Sequence, residues 1–267
     1  MATTVQDLRR FKAEGRRFAM LTAYDYPTAR AFDEAGIPVL LVGDSLGTVV
    51  LGESTTLSVT MDAVVHHTRA VRAGISSALL VADLPFGAYQ ADVADGVRNA
   101  IRLLKEGGAA VVKLEGPEFA LVETLTTKGV PVMGHLGLTP QSFHRFGGNR
   151  VQARSEAAAG HLVDDARRLE ESGCCAVVLE AIPNEAARRV TAALSVPTIG
   201  IGAGPDCDGQ VLVGPEMLGM TPGPGPRFAK RYADLGARMV TAAAEFAEEV
   251  AAGSYPDKEH SYDWALS

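Results

Sequence analysis

ALLVADLPFGAYQADVADGVRNAIRLLKEGGAAVVKLE, residues 78–115, decides the fold. An apolar run from Ala78 to Ala82 stops at Asp83. Helical periodicity follows, with Val93, Val97, Ala100, Ile101 and Leu104 spaced to share one face. Gly107-Gly108 ends that helix. A second apolar run, Ala110 to Leu114, then carries Lys113 and leads into Glu115. Strands that are apolar nearly throughout are strands buried on both faces, as parallel strands are. The segment therefore reads as one strand–helix–strand unit with ionisable residues where the strands stop.

The same rhythm extends in both directions. Val39 to Val42 leads through Gly43 to Asp44, Val130 to Met133 leads through Gly134 to His135, and Ala176 to Leu179 leads to Glu180. Phe18 to Ala23, Pro197 to Ile201 and Val211 to Val213 complete eight expected strands. Helices are expected over 4–14 and 27–35, after Thr60 and Pro117, around Leu162, Ala166 and Leu169, and around Ala187, Val190 and Leu194. A closing helix is expected to turn Leu235, Met239, Ala242, Phe246 and Val250 inward. The Gly202–Gln210 connection is too short for a full helix. The expectation is an α/β fold, a (β/α)8 TIM barrel. Residues 1–267 form a single catalytic domain with a short leading helix and a polar tail over about 254–267. Two long loops, 45–59 and 137–154, lie on the side where such barrels do chemistry, and the first reads as an ordered active-site loop or lid.

A net charge of −7 argues against an electrostatic grip on nucleic acid or anionic lipid. No apolar run is long enough to span a bilayer. The mixed charges of Met1 to Arg17 do not read as a signal peptide. Cys174, Cys175 and Cys207 lack framework spacing and read as free thiols in a reducing cytosol.

Asp44, Asp83 and Glu115 end consecutive strands, and neighbouring strands lie about 4.8 Å apart. Three carboxylates so placed repel one another unless a cation sits among them, and hard oxygen ligands suit Mg²⁺ or a similar divalent ion. The alternative is that each acid caps a helix or is solvated. Lys113 and Glu115 are two residues apart, so both point to one side of the strand. Lys113 then binds a substrate carboxylate, forms a Schiff base, or pairs with Glu115; nearby carboxylates raise its pKa and favour the first. Glu180 stands apart from the acidic group as a candidate general base, its pKa expected to rise on burial, or else pairs with a loop arginine. His135 either donates to a substrate or completes a polar core network. Gly200-Ile-Gly-Ala-Gly204 reads as a phosphate cradle or as close backbone packing. The basic loop from His144 to Arg154 reads as solvated, with an anion-receiving role as the alternative.

Several segments together resemble the ketopantoate hydroxymethyltransferase family. They are Val42-Gly-Asp-Ser-Leu-Gly47, Ala82-Asp-Leu-Pro-Phe86, Val112-Lys-Leu-Glu-Gly116, Gly134-His-Leu-Gly-Leu-Thr-Pro-Gln-Ser142, Phe146-Gly-Gly, Val151-Gln, and Gly200-Ile-Gly-Ala-Gly204 with Asp208-Gly-Gln210. The likeness runs in order along nearly the whole chain, to Pro226-Arg-Phe-Ala-Lys-Arg-Tyr232, Tyr255-Pro and Glu259-His-Ser261. The resemblance implies a cytoplasmic barrel enzyme of pantothenate biosynthesis, a homodecamer. It implies transfer of a one-carbon unit from the co-substrate 5,10-methylenetetrahydrofolate to 3-methyl-2-oxobutanoate through a Mg-stabilised enolate, giving 2-dehydropantoate. It also implies metal binding by Asp44, Asp83 and Glu115, keto-acid contacts by Asp44, Ser45, Asp83 and Lys113, and proton acceptance by Glu180; His135 is added as a substrate contact. Gly214-Pro-Glu216 departs from the family's bulky residue followed by His-Asp, and Gly87 stands where Met is common. The rival readings are a metal-dependent carbon–carbon lyase of the phosphoenolpyruvate mutase and isocitrate lyase type, a Schiff-base aldolase on Lys113, and a catalytically silent scaffold.

Overall fold

A computed structural model describes residues 2–262. Eight parallel strands close into a barrel in the order of the chain. They are β1 (Phe18–Thr22), β2 (Val39–Val42), β3 (Leu79–Asp83), β4 (Val111–Lys113), β5 (Val132–Gly137), β6 (Ala176–Glu180), β7 (Thr198–Ile201) and β8 (Gly209–Leu212). The helices are α1 (Val5–Ala13), α2 (Tyr26–Glu34), α3 (Leu46–Val49), α4 (Met61–Gly74), α5 (Val93–Arg102), α6 (Phe119–Thr127), α7 (Phe143–Phe146), α8 (Glu156–Glu171), α9 (Asn184–Ala193), α10 (Gly214–Met217) and α11 (Leu235–Ala252). The expected (β/α)8 barrel is therefore present, and as expected β7 and β8 are joined without a helix.

The chain divides into two compact units, Met1–Gly214 and Pro215–Ser267. All eight strands belong to the first. Its barrel interior is filled by Met20, Val39, Leu41, Val81, Val111, Met133, Val178, Ile199 and Val211, joined by Leu8 and Phe11 of α1. Thr4 and Asp7 form a capping box at the start of α1, and Lys12 at its far end pairs with Asp208 at 2.9 Å. The leading helix thus plugs the barrel. Asp33 of α2 accepts hydrogen bonds from the backbone N–H groups of Ser76, Ser77 and Ala78, which lead into β3.

Three local expectations need correction. β5 begins at Val132 and runs on through His135 to Gly137, past its expected end at Met133, whereas Asp83 and Glu180 end β3 and β6 as expected. On α5 the buried row is Gly96 and Ala100, continued by Leu103 and Gly107 of a π-helical turn (Leu103–Gly107), while Val93 and Ile101 are exposed. Glycine decided that rotation: a Cβ on Gly96 would stand 2.7 Å from Leu121, so α5 and α6 approach closely only along this face. The loop over 45–59 contains the short helix α3.

The second unit holds α11, which ends at Gly253 in the left-handed region. None of its residues is buried, and Met239, Val240, Phe246 and Val250 are exposed. Leu235, Met239, Ala242, Phe246 and Val250, the residues expected inward, are all exposed. Helical spacing shows that a helix has an apolar face, not what covers it. The Tyr255 ring packs on Phe246, with centroids 5.4 Å apart. The last five residues of the expected polar tail lie outside the described residues.

Candidate active site

β-Strand periodicity and register bring the ionisable strand ends together. Asp83 and Lys113 are direct partners across β3 and β4, and Glu180 is paired with Gly137 across β6 and β5. Asp44, Asp83, Lys113, Glu115 and His135 are all buried. Gly43 makes room for Asp83 and for Ser45: a Cβ there would lie 2.9 Å from the Ser45 hydroxyl and 3.4 Å from Asp83 Oδ2. Gly137 does the same beside Glu180. Its φ is +94°, and a Cβ would meet the Glu180 carbonyl oxygen at 2.3 Å.

Lys113 Nζ lies 2.7 Å from Asp83 Oδ1, so its ion pair is with Asp83 rather than Glu115. The Asp44 backbone N–H donates to Asp83 Oδ2 at 3.0 Å. Burial draws the Lys113 pKa down, but Asp83, Glu115 and Asp44 together outweigh it and hold the ammonium above the usual lysine range. That disfavours a Schiff-base nucleophile. Burial, with repulsion from Glu115 and Asp83, raises the Asp44 carboxyl well above the usual carboxylate range. Burial also raises Asp83, against the pull of Lys113.

His135 lies between two acids, with Nδ1 3.5 Å from Glu115 Oε1 and Nε2 3.3 Å from Glu180 Oε2. Neither nitrogen meets hydrogen-bond geometry, so the attraction acts mainly through charge. Burial and Lys113 favour the neutral ring, yet the two carboxylates prevail and push its pKa up to about 9. Glu180 is the more open of the acids, its side chain 15% exposed beside His135. Ser45 exchanges a 2.8 Å hydrogen bond with the Tyr24 hydroxyl.

Among the described residues no three His, Cys, Asp or Glu side chains converge tightly enough to enclose a metal ion as they stand. The donor set nevertheless fits a hard divalent ion. Three buried carboxylates face one ammonium, and a cation would relieve the repulsion that raises Asp44. Each carboxylate oxygen also keeps a second lone pair beyond the bonds described. Mg²⁺ needs only one or two protein carboxylates, with water and substrate completing its shell.

The six strand-end residues singled out from sequence, Asp44, Asp83, Lys113, Glu115, His135 and Glu180, come together here. Gly200 and Gly204 serve close packing: a Cβ on Gly204 would meet Asn184 at 2.4 Å, and one on Gly200 would meet Cys207 at 3.0 Å. Sequence reading missed Tyr24, Tyr89 and Gln141. Tyr89 hydroxyl bonds to the backbone of Glu115 and to Gln141. Gln141 lay within a quoted motif, but nothing in its spacing shows that it reaches Asp44, 97 residues away.

Residues 2–258 match the family described as Ketopantoate hydroxymethyltransferase. The 3-methyl-2-oxobutanoate hydroxymethyltransferase of Moorella thermoacetica is 54% identical over 261 residues, covering 97% of each chain. That of Thermobifida fusca is 55% identical over 261 residues, covering 97% of this chain and 93% of its own. Among solved structures, 2,3-dimethylmalate lyase, a PEP mutase/isocitrate lyase superfamily member, aligns with a TM-score of 0.60 at 17% identity, over 98% of this chain and 89% of its own. A phosphonopyruvate hydrolase solved with oxalate and Mg++ aligns with a TM-score of 0.59 at 14% identity, over 97% of this chain and 93% of its own. Likeness at such identities establishes the shared fold.

Proposed function

The chain belongs to the ketopantoate hydroxymethyltransferase family, and from that premise we propose that it hydroxymethylates 3-methyl-2-oxobutanoate at C3, with 5,10-methylenetetrahydrofolate as donor, to give 2-dehydropantoate for pantothenate biosynthesis. The observation that carries this reading is the buried group of Asp44, Asp83, Glu115 and Lys113 at the strand ends, with Glu180 beyond His135.

Asp44, Asp83 and Glu115 would hold a divalent ion, Mg²⁺ or similar. When bound, that ion supplies Lewis-acid polarisation of the keto oxygen, which acidifies C3–H. A solved protein of the same fold carries oxalate, a small dicarboxylate, with Mg++. Lys113 and Ser45 hold the substrate carboxylate, Lys113 by charge and Ser45 through a hydroxyl oriented by Tyr24. Asp44 and Asp83 line the same end of the substrate. Glu180 takes the C3 proton, and His135 steadies the resulting charge around Glu180 and the substrate. C3 then bonds to the methylene carbon of the folate as the first of that carbon's two carbon–nitrogen bonds breaks. Water displaces the second nitrogen to complete the hydroxymethyl group, and the proton from C3 with one proton of water ends on the two released nitrogens, giving tetrahydrofolate.

All these residues lie in the first unit, and the 267-residue chain is taken to work as one catalytic domain. By family resemblance it works as a homodecamer in the cytoplasm. The deciding experiment follows deuterium entry at C3 of 3-methyl-2-oxobutanoate in D₂O without folate. Exchange that requires both a divalent ion and Glu180 supports the reading; exchange indifferent to either overturns it.

A further inference from the structure

We propose that Gln141 is a positioning residue that sets Asp44 and Glu115 for a divalent ion. The proposal rests on the metal reading above and assigns the placement of its ligands.

Gln141 is buried, and its amide uses all of its hydrogen-bonding capacity. Nε2 donates to Asp44 Oδ2 and to the Leu84 carbonyl, each at 2.9 Å. Oε1 accepts from the Tyr89 hydroxyl at 2.8 Å and from Gln90 Nε2 at 3.0 Å. The Gln141 backbone N–H donates to Glu115 Oε2 at 2.9 Å. One residue of the loop after β5 therefore grips the acid following β2 and the acid following β4.

The orientation of this amide is dictated from outside. A carbonyl such as that of Leu84 only accepts, so it requires Nε2 on its side. On the other side, the Gln90 Oε1 is occupied by the backbone N–H of Gly87 at 2.7 Å. That turns the Gln90 Nε2 toward Gln141 Oε1. A flipped Gln141 amide would set acceptor against acceptor at Asp44 and Leu84, and donor against donor at Gln90. Two backbone groups of the segment after β3 thus ensure that Asp44 meets an N–H. Each gripped carboxylate has one oxygen fixed and the other left for a ligand. Bonds of this kind hold each carboxylate in one orientation. Partners one step outside a metal's ligands typically change affinity about 10–100-fold when lost.

The test titrates Mn²⁺ alone into the purified protein, without oxo acid or folate, and follows binding by calorimetry. The comparison is wild type, Gln141→Met and Gln90→Ala. Gln141→Met keeps the side-chain length without donor or acceptor. Gln90 is exposed, and its replacement removes one of the partners that fix the amide's orientation, leaving Asp44 and Leu84 to hold it. The expected result is weaker binding, about 10–100-fold for Gln141→Met and a smaller loss in the same direction for Gln90→Ala. Turnover of Gln141→Met should recover as metal is raised, which a general packing defect would not allow. Wild-type affinity in both variants overturns the role of Gln141 alone. If Gln141→Met does not fold, Gln90→Ala decides by itself. A wild type that binds no Mn²⁺ overturns the metal reading, and this assignment with it.

Discussion

Lys113 and Asp83 are register partners on adjacent strands, and their side chains close a buried ion pair at 2.7 Å. Asp83 uses its other oxygen on the Asp44 N–H. The pair therefore joins the buried ammonium to the backbone that carries the next acid. Breaking it by removing one partner leaves an uncompensated buried charge, which costs about 3–5 kcal/mol. Lys113→Met should lower unfolding stability in urea by that order, and added Mg²⁺ should restore part of it.

Glu180→Gln should reduce turnover about 10²–10⁴-fold while leaving the KM for the oxo acid nearly unchanged. Steady-state kinetics with the C3 exchange assay checks this. Retained exchange in the variant would exclude Glu180 as the base.

Metal removal has a readout independent of catalysis. An ion that binds only the folded state raises stability by about 2.7 kcal/mol at one hundred times its dissociation constant. Mg²⁺ should raise the melting temperature of the wild type, EDTA should reverse the gain, and Asp44→Ala should abolish it. Equal shifts in wild type and Asp44→Ala would falsify the placement of the ion at Asp44.

Gly137→Ala places a methyl group 2.3 Å from the Glu180 carbonyl oxygen at a φ of +94°. Steric clash and backbone strain should together cost about 2–4 kcal/mol. Because the clash falls on Glu180 itself, kcat should drop as well. Chemical denaturation and kinetics on one preparation measure both.

Asp33 should make stability sensitive to acid. Burial pushes its carboxyl up, but hydrogen bonds from Ser76, Ala78 and Ser77 outweigh that and hold its pKa far below the ordinary 3.8. A folded value below the unfolded one means the contribution is complete above the unfolded value and is lost as pH falls through the folded one. Asp33→Asn should be less stable than wild type by about 2–3 kcal/mol at pH 7, with the gap shrinking steadily below pH 3.8. Parallel denaturation curves across that range check the sign.

The alternation of apolar runs and helical stretches was enough to read the eight strands, their order and the acids at their ends. That legibility is physical. A strand buried on both faces leaves polar residues only where it emerges, so Asp44, Asp83, Glu115 and Glu180 announce the mouth of the barrel. The buried face of α5 was not legible, because Gly96 and Gly107 contribute closeness rather than hydrophobicity. The exposed face of α11 was not legible either, since periodicity records amphipathy and not cover.

By itself, then, the sequence determined which residues reach the carboxyl edge and what charge they carry there. Only the tertiary structure decided how those charges are paired. It joined Lys113 to Asp83 and set His135 between Glu115 and Glu180. It also brought Gln141 onto Asp44 across 97 residues of chain. Strand position follows from short-range periodicity, whereas hydrogen bonds between separate loops depend on distances that exist only once the barrel has closed.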